Sequence, residues 1–469
     1  MKKITKITSL LLCMAMMVTL FAGCGSKGEE KGDLTKIEVW SHDSHSKSVV
    51  TDLIANWNET KGKQLGVEIV YTVKEGNIQQ AVEMAFASEQ EPDFFSSCPV
   101  EKFSSAGYIV AINTLPGGEE YIQQYKDNGI DMTRAAFSDS KGDVYCVPSS
   151  VITFGLVYNK DMFKKYGLVD KKGEPTPPKT FEEVREYAKK MTDPKSQDYG
   201  IIFPMKWASF VGVDVEQLAM GSTGVLAFDP VKGEYDFSVF KPIYEMYLGI
   251  KKDGSYFPGP EALDNDTARA YFAERNIGMK FAGSYDVGVF NTQFPAKCDW
   301  GVAPYPVENE NERYMQYMMA GGGYGMSKKA VEKIGEEKAF EIFKFLHGDE
   351  YCRALYQKGM SMPYDFSIVK DVKVDDGLKG WEEFTKLTEI STPCYNLAKT
   401  ELTGVKTSKD VFMEEIWTGK KSVDKAIDEL NQRYNQAMKT FYDNNPSIDF
   451  NSYLKPKWDT KLTGDKVDK

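Results

Sequence analysis

Residues 36–95 alternate between two hydrophobic periodicities, and this alternation constrains the fold more than any other feature of the chain. Apolar side chains recur at every second position in 36–41 and again in 67–73, which predicts two β-strands. After each strand the apolar spacing changes to three and four residues, which predicts an amphipathic helix. A short apolar run at 92–95 completes the pattern. Strand, helix, strand, helix and strand in this order predict a parallel sheet with right-handed crossovers.

The same alternation continues through the rest of the chain. An apolar run at 151–158 predicts one strand, followed by a short helix at 161–166. Thr180 and Glu183 have the spacing of a capping box, so a helix is expected to begin after Thr180. Ser422 is placed to cap a long C-terminal helix. A chain of 469 residues exceeds what one core usually supports, and no segment resembles a linker, so two lobes connected by strands are expected.

The N-terminus indicates export. Three lysines in the first six residues precede 17 uncharged residues that end in small side chains, the pattern of a signal peptide spanning residues 1–23. A permanent membrane anchor is the alternative, although the apolar stretch is shorter than the ~20 residues that a spanning helix prefers. Segment 20–24 resembles a bacterial lipobox, which implies that Cys24 carries the lipid. Residues 24–33 would then be a lipidated cysteine and a flexible tether on the extracytoplasmic face of the cell membrane.

Charge and cysteine content limit the classes of partner and fold. Loss of residues 1–23 would remove three lysines and no acidic residue, so the formal net charge of −11 would become −14. Such an acidic surface disfavours binding to nucleic acid or anionic lipid. Five cysteines follow Cys24, an odd number without CxxC spacing. One disulfide is compatible with them, but neither a disulfide framework nor a zinc site is expected.

Short motifs follow one another in a fixed order at 107–112, 142–148, 155–163, 167–168, 178–183, 281–285, 301–306, 321–327 and 416–426. The most recognisable segment is 155–163, which contains Tyr158-Asn159-Lys160-Asp161-Met162-Phe163. Together these motifs resemble the carbohydrate-binding family of bacterial extracellular solute-binding proteins, which is of the maltose-binding-protein type. One departure is Tyr285, where the family commonly has Trp, and another is the long region after Pro363.

The resemblance implies an α/β, two-lobed, periplasmic-binding-protein-like fold of type II. Each lobe would contain a mostly parallel sheet flanked by helices, and the lobes would close on a ligand between them. The chain would cross between the lobes three times, near 149–154, 319–322 and 359–363. The expected first lobe is 34–150 plus 321–358, and the expected second lobe is 151–320 plus 359–469 with an extended helical C-terminal part.

Polar and aromatic residues at the ends of predicted strands are the candidates for ligand binding, because ligands favour lobe interfaces and the carboxyl edges of sheets. Tyr285 is expected to be the main stacking residue, since Gly283 permits close backbone approach. Core packing is the alternative for Trp40, and local hydrogen bonding is the alternative for the serines. The candidates are Trp40, Asp43, Ser97, Ser150, Trp207, Tyr285, Gly322, Tyr324 and Tyr364.

Binding is expected rather than catalysis, with no cofactor. His42 and His45 have i, i+3 spacing, but no third nitrogen or thiolate lies nearby in the sequence, so no metal site is expected. The chain has no Gly-x-Ser-x-Gly, His-Glu-x-x-His or phosphate-loop motif, and it has three histidines in total. A surface glycoside hydrolase with paired carboxylates is the enzymatic alternative.

The resemblance implies a monomeric substrate-binding component of an ABC importer, which carries a sugar or oligosaccharide to permease subunits. The alternatives are a protein for a non-sugar ligand and a protein that serves a sensor kinase. A neutral ligand is favoured because the arginines do not fall in the predicted cleft loops. These arginines are Arg134, Arg185, Arg269 and Arg275.

Overall fold

The computed structural model describes residues 34–462 except 75, 76, 129, 403 and 447. The predicted signal peptide, Cys24 and the tether lie outside the described residues. So does the end of the expected second lobe, 463–469. Among the described residues, no helix is long and apolar enough to cross a membrane.

Strands and helices alternate through most of the chain. The strands are β1 (Thr35–Ser41), β2 (Val67–Val73), β3 (Phe94–Ser96), β4 (Pro148–Ile152), β5 (Phe154–Asn159), β6 (Tyr199–Ile201), β7 (Phe228–Asp229), β8 (Glu234–Tyr235), β9 (Ile277–Gly283), β10 (Trp300–Ala303), β11 (Gln316–Gly322), β12 (Tyr324–Met326) and β13 (Ser391–Pro393). The α-helices of six or more residues are Lys47–Trp57, Ile78–Ala87, Val100–Ser105, Gly118–Asp127, Lys160–Lys165, Phe181–Lys190, Glu216–Thr223, Lys241–Asp253, Asn265–Glu274, Lys328–Ile334, Glu336–His347, Asp349–Gln357, Trp381–Lys386 and Val423–Asn444.

The first sheet has the strand order β12–β3–β1–β2. Its strands β1, β2 and β3 are parallel, as the alternation in 36–95 predicts, and β12 is antiparallel to β3. The second sheet has the order β10–β5–β9–β6, in which β5 runs opposite to the other three strands. Three of the four strands in each sheet therefore share a direction, which confirms the two mostly parallel sheets of the expected fold.

The antiparallel strand of each sheet is the one that arrives from a crossing. Strand β5 directly follows β4, and β12 directly follows β11. The single strand predicted at 151–158 is therefore wrong, because the chain changes sheet at Thr153. This residue is fully buried, and its hydroxyl donates a hydrogen bond to the Phe384 carbonyl at 2.8 Å.

The crossing segments lie side by side and are hydrogen-bonded to one another. Strands β4 and β11 pair antiparallel, and β13 adds to β11 in parallel. The Val151 N–H donates to the Met362 carbonyl at 2.8 Å, which attaches the third crossing. Between β11 and β12, a Cβ on Gly323 would lie 1.9 Å from His347 Nε2, so this position requires glycine.

Three hydrophobic clusters fill the interior. One takes its residues from 37–147 and 324–360, and the other two take theirs from 151–305 and 362–462. We propose that these clusters are the cores of the two lobes, with the boundaries expected from the sequence.

Local capping signals in the sequence correspond to observed helix starts. Thr180 and Glu183 form the predicted capping box of helix Phe181–Lys190. Ser422 accepts from the Lys425 N–H and caps helix Val423–Asn444, whose Ile427 and Leu430 are buried in the second lobe's larger core cluster. The five described cysteines are free thiols.

Candidate functional site

The carboxyl ends of β1 and β3 meet at one edge of the first sheet, because the strands are parallel. His42 follows β1, and its Nδ1 lies 2.7 Å from Ser96 Oγ and 3.1 Å from Ser97 Oγ. Its Nε2 lies 3.2 Å from Asp43 Oδ1. The imidazole therefore joins two of the predicted binding residues, Asp43 and Ser97. We refer to residues 41–46 and 96–98 as the first wall.

Ser97 has an unusual backbone conformation. Its φ is +57°, in the left-handed region that non-glycine residues seldom adopt. Such a conformation costs about 1–3 kcal/mol and tends to persist at ligand sites, where the surroundings enforce it. The strain favours a binding role for the first wall.

Two further predicted binding residues adjoin the first wall. Trp40 precedes Ser41 in β1, so the two side chains lie on opposite sheet faces, and the Lys74 ammonium covers the Trp40 ring at 3.5 Å. Tyr324 is 3% exposed. Its N–H donates to His347 Nε2 at 2.8 Å, and its hydroxyl lies 3.2 Å from that of Tyr351. Burial raises the pKa of Tyr324, and the Asp43 carboxylate adds to the rise, so this buried ring lies next to the first wall.

Tyr285 stands at the end of β9 in the second sheet. A Cβ on Gly283 would lie 2.6 Å from the Tyr285 ring, so the glycine allows the ring to fold back over the strand end. The Arg269 guanidinium lies 5.1 Å from the ring centroid, a cation–π contact. Phe154 meets the same ring edge-on at 6.5 Å. We refer to Arg269, Tyr285 and Asp286 as the second wall.

Buried charges hold the second wall in place. The Asp286 carboxylate is fully buried and accepts from Arg269 Nε at 2.6 Å, while Lys280 Nζ lies 3.4 Å away. Asp214 is also buried, and neither of its carboxylate oxygens has a hydrogen-bond partner among the described residues. Burial raises the pKa of the Asp214 carboxyl to about 8, and the Lys280 ammonium opposes the rise. Removing one partner from such a network leaves an uncompensated buried group, which is strongly destabilising.

His45 connects the two walls electrostatically. Burial lowers the pKa of its imidazole, and the Asp43 carboxylate opposes this effect. Arg269 and Asp286 of the second wall act on the same imidazole. Since Coulomb interactions weaken with distance, Arg269 and Asp286 lie near enough to His45 to act on its charge.

Ser150 and Gly322 lie in the paired crossing strands. Ser150 is opposite Gly321, where a Cβ would lie 2.2 Å from Ser150 Oγ, and a bulge separates Gly321 from Gly322. Trp207 is half-buried against the second lobe's larger core cluster, and its carbonyl accepts from Lys409 Nζ at 2.6 Å. Ser150 and Gly322 therefore lie at the crossings, whereas Trp207 lies within the second lobe.

Tyr364, a predicted binding residue, lies near polar groups that the sequence did not indicate. One Arg134 guanidinium nitrogen is buried without a hydrogen-bond partner in the described part of the chain. Burial raises the pKa of Tyr364, and Arg134 lowers it, so these side chains are close. Tyr364 packs against the core clusters of both lobes. Burial also raises the pKa of Glu216 to about 7.

None of the four arginines falls in a predicted cleft loop, but two of them lie beside predicted binding residues: Arg269 is against the Tyr285 ring, and Arg134 is close to Tyr364. Arg185 pairs with Asp253, and Arg275 covers the Tyr271 ring, so these two lie elsewhere. Sequence spacing could indicate Asp266, three residues before Arg269, but not Asp286, which is 17 residues away and meets Arg269 through tertiary packing. The sequence could have identified His42 as a site residue, because it follows the end of a predicted strand.

Two cavities in the described part of the chain are lined by none of the predicted binding residues. One of about 390 Å³ is lined by Trp57 and Phe345 among others, and one of about 280 Å³ lies beside Phe257 and Arg275. No group of three or more His, Cys, Asp or Glu in the described residues could hold a metal ion.

Replacing Asp214 with Asn tests the buried network through its pH dependence. The folded chain keeps the Asp214 proton up to about pH 8, whereas an ordinary aspartate loses it near 3.8. The folded state therefore binds more protons between these values, and this group's contribution to stability falls as pH rises, by at most about 1.4 kcal/mol for each pH unit. Urea unfolding at about pH 5 and about pH 9 should show Asp214→Asn gaining stability relative to the native chain at the higher pH.

The control is Asp376→Asn, because the Asp376 side chain is 87% exposed. Its unfolding free energy should follow that of the native chain at both pH values. Parallel pH profiles for Asp214→Asn and the native chain would contradict a proton held at Asp214.

Comparison with known proteins places the chain in a family. A family model described as bacterial extracellular solute-binding protein matches residues 44–351. A maltotriose-binding protein of Pyrococcus abyssi is 27% identical over 243 residues, which cover 51% of this chain and 47% of that relative. The sn-glycerol-3-phosphate-binding periplasmic protein of Yersinia enterocolitica is 22% identical over 414 residues, which cover 79% of this chain and 89% of that relative.

Solved structures show the same fold. The GacH receptor of Streptomyces glaucescens, described unliganded and in complex with acarbose, superimposes with a TM-score of 0.67 at 15% identity. The superposition covers 87% of this chain and 99% of that one. Since the family model spans more than half of the sequence, the chain belongs to the bacterial extracellular solute-binding proteins.

Proposed function

We propose that this protein is the substrate-binding component of an ABC importer and holds a sugar or oligosaccharide between its lobes for delivery to permease subunits. The observation that carries the proposal is the pair of walls, one at the carboxyl edge of each sheet. The strands that leave the crossings begin at these same edges, because Tyr324 pairs with Ser96 and Phe154 pairs with Gly283. Ligands of open α/β sheets bind at such edges. The maltotriose-binding relative supports the choice of a sugar.

The walls offer complementary chemistry for a polyol. In the first wall, the Asp43 carboxylate accepts hydrogen bonds, and the Ser97 hydroxyl both donates and accepts. In the second wall, the Tyr285 ring supplies a flat apolar surface for the C–H face of a sugar. Each wall alone is shallow, so the ligand would be enclosed when the lobes approach. Contacts made in the closed form shift the population towards it.

An anionic polyol, such as a phosphate ester, is the second candidate. It is favoured by Arg269 in the second wall and by the buried, unpartnered Arg134 nitrogen near the hinge. Guanidinium groups bind phosphate in a bidentate manner. The relative that binds sn-glycerol 3-phosphate also supports it. Against it, Asp286 and Asp266 both pair with Arg269 and reduce its free charge.

Thermal unfolding of the chain from Gly25 onwards distinguishes the two ligand classes. Maltotriose should raise the melting temperature, because a ligand that binds the native state stabilises it by mass action. Tyr285→Ala should weaken maltotriose binding about tenfold, since it removes a stacking surface worth on the order of 1.4 kcal/mol. Titration calorimetry measures this change.

Tyr199→Ala is the matched control, because Tyr199 belongs to the second sheet but packs against Phe257, away from the walls. It should lower stability and leave the dissociation constant unchanged. If sn-glycerol 3-phosphate raises the melting temperature and maltotriose does not, the ligand is an anionic polyol and not a neutral sugar. A shift with amino acids alone would reject both.

We also propose that the chain is a monomer anchored to the membrane by lipid on Cys24 after removal of residues 1–23. We assign ligand binding to the protein and no catalytic activity.

Replacement of Cys24 by Ala should abolish metabolic labelling with palmitate and release the protein from the membrane fraction. Cys13→Ala is the control, because Cys13 lies within the predicted signal peptide and its loss should leave labelling intact. Equal labelling of Cys24→Ala and the native chain would contradict the lipid anchor.

A further inference from the structure

An ion pair connects the first lobe with the chain that follows the third crossing. Lys399 Nζ lies 3.1 Å from Glu101 Oε2, a contact between residues 298 positions apart. Glu101 belongs to helix Val100–Ser105, whose Val100 and Phe103 are in the first lobe's core cluster. Lys399 directly follows Ala398, which is in the second lobe's larger cluster. The pair therefore bridges two separate cores.

Both ends of this bridge are fixed by further hydrogen bonds. Glu101 accepts from the Ser140 N–H at 2.8 Å and from the Ser140 hydroxyl at 2.9 Å. The Lys399 N–H donates to the Tyr442 hydroxyl at 3.1 Å, and the Ala398 carbonyl accepts from the Tyr235 hydroxyl at 2.6 Å. Surface ion pairs are commonly weak because two long side chains must be ordered to form them. Anchoring each end reduces that entropic cost.

The supports of Lys399 come from the extended C-terminal part. Tyr442 lies on helix Val423–Asn444, and its ring packs edge-on against Phe450 at 5.0 Å and Tyr453 at 6.1 Å. All of these residues follow the segment that matches the family model, which ends at residue 351. A second contact also connects the chain before the first crossing with the chain after the third. In it, Asn128 Nδ2 donates a hydrogen bond to Asp365 Oδ2 at 3.2 Å.

We propose that the Glu101–Lys399 pair is a clasp that stabilises the closed arrangement of the lobes, and that the C-terminal part presents Lys399 for it. The inference rests on the proposed binding function, in which lobe closure retains the ligand. Since Glu101 lies on a helix of one core cluster and Lys399 directly follows a residue of another, an opening that parts these clusters would break the pair, which therefore favours the closed state. Glu101 and Lys399 are positioning residues, which raise affinity through the closed population without touching ligand.

Small-angle scattering of the ligand-free chain from Gly25 onwards tests the clasp. Lys399→Met should increase the radius of gyration at low ionic strength, because the closed-to-open ratio falls about two- to fivefold. High salt should expand the native protein and leave Lys399→Met unchanged, since salt screens a partly exposed pair. Lys102→Met is the control. It breaks the Lys102–Glu83 pair, at 2.7 Å, which lies within the first lobe, and it should scatter like the native chain.

Glu101→Gln provides an independent variant, because glutamine can still accept from Ser140 and loses the charge. It should expand the protein as Lys399→Met does, and the double variant should expand it no further, as expected for two residues that act as one pair. Circular dichroism checks that each variant is folded. Identical scattering of the native chain and both single variants would overturn the clasp. The measurement uses no ligand, so a failure of the sugar proposal and a failure of the clasp give separate results.

Discussion

Hydrogen bonding between the crossing segments is the constraint on which the rest of the structure depends. Strands β4 and β11 pair with each other, and the Val151 N–H attaches the third segment at Met362. Because each crossing strand leads directly into a strand of the next sheet, this pairing determines where both sheets begin. It also brings the carboxyl edges of the two sheets to the same side of the hinge, where the two walls lie.

The second wall depends on charges that are removed from water. Asp286 is fully buried between Arg269 and Lys280, and burial in such a network is tolerated because each group satisfies the others. Arg269 in turn lies against the Tyr285 ring. An aromatic side chain held by a buried ion pair loses little freedom when a ligand binds, which favours affinity. In the first wall, His42 holds the side chains in place, because it contacts Ser96, Ser97 and Asp43.

Much of the fold could be predicted because its signals are local. The periodicity of 36–95 and the capping residues Thr180 and Ser422 depend on neighbouring positions, and the structure confirms them. The site was less predictable because it depends on tertiary packing. Trp40 directly precedes the first wall, yet the Lys74 ammonium covers its ring. Tyr324 follows a crossing as expected, but its neighbours His347 and Tyr351 enclose it. Arg269 was missed because its partner Asp286 is distant in sequence.

The central claim is that ligand is held between the two walls. Amide hydrogen exchange of the chain with and without saturating maltotriose tests it most directly, because exchange reports on each lobe separately. We expect slower exchange in both walls at once, at 41–46 and 96–98 in the first and at Arg269, Tyr285 and Asp286 in the second, together with slower exchange in the paired crossing strands. Protection confined to one lobe, or centred on the cavity between Trp57 and Phe345, would contradict it.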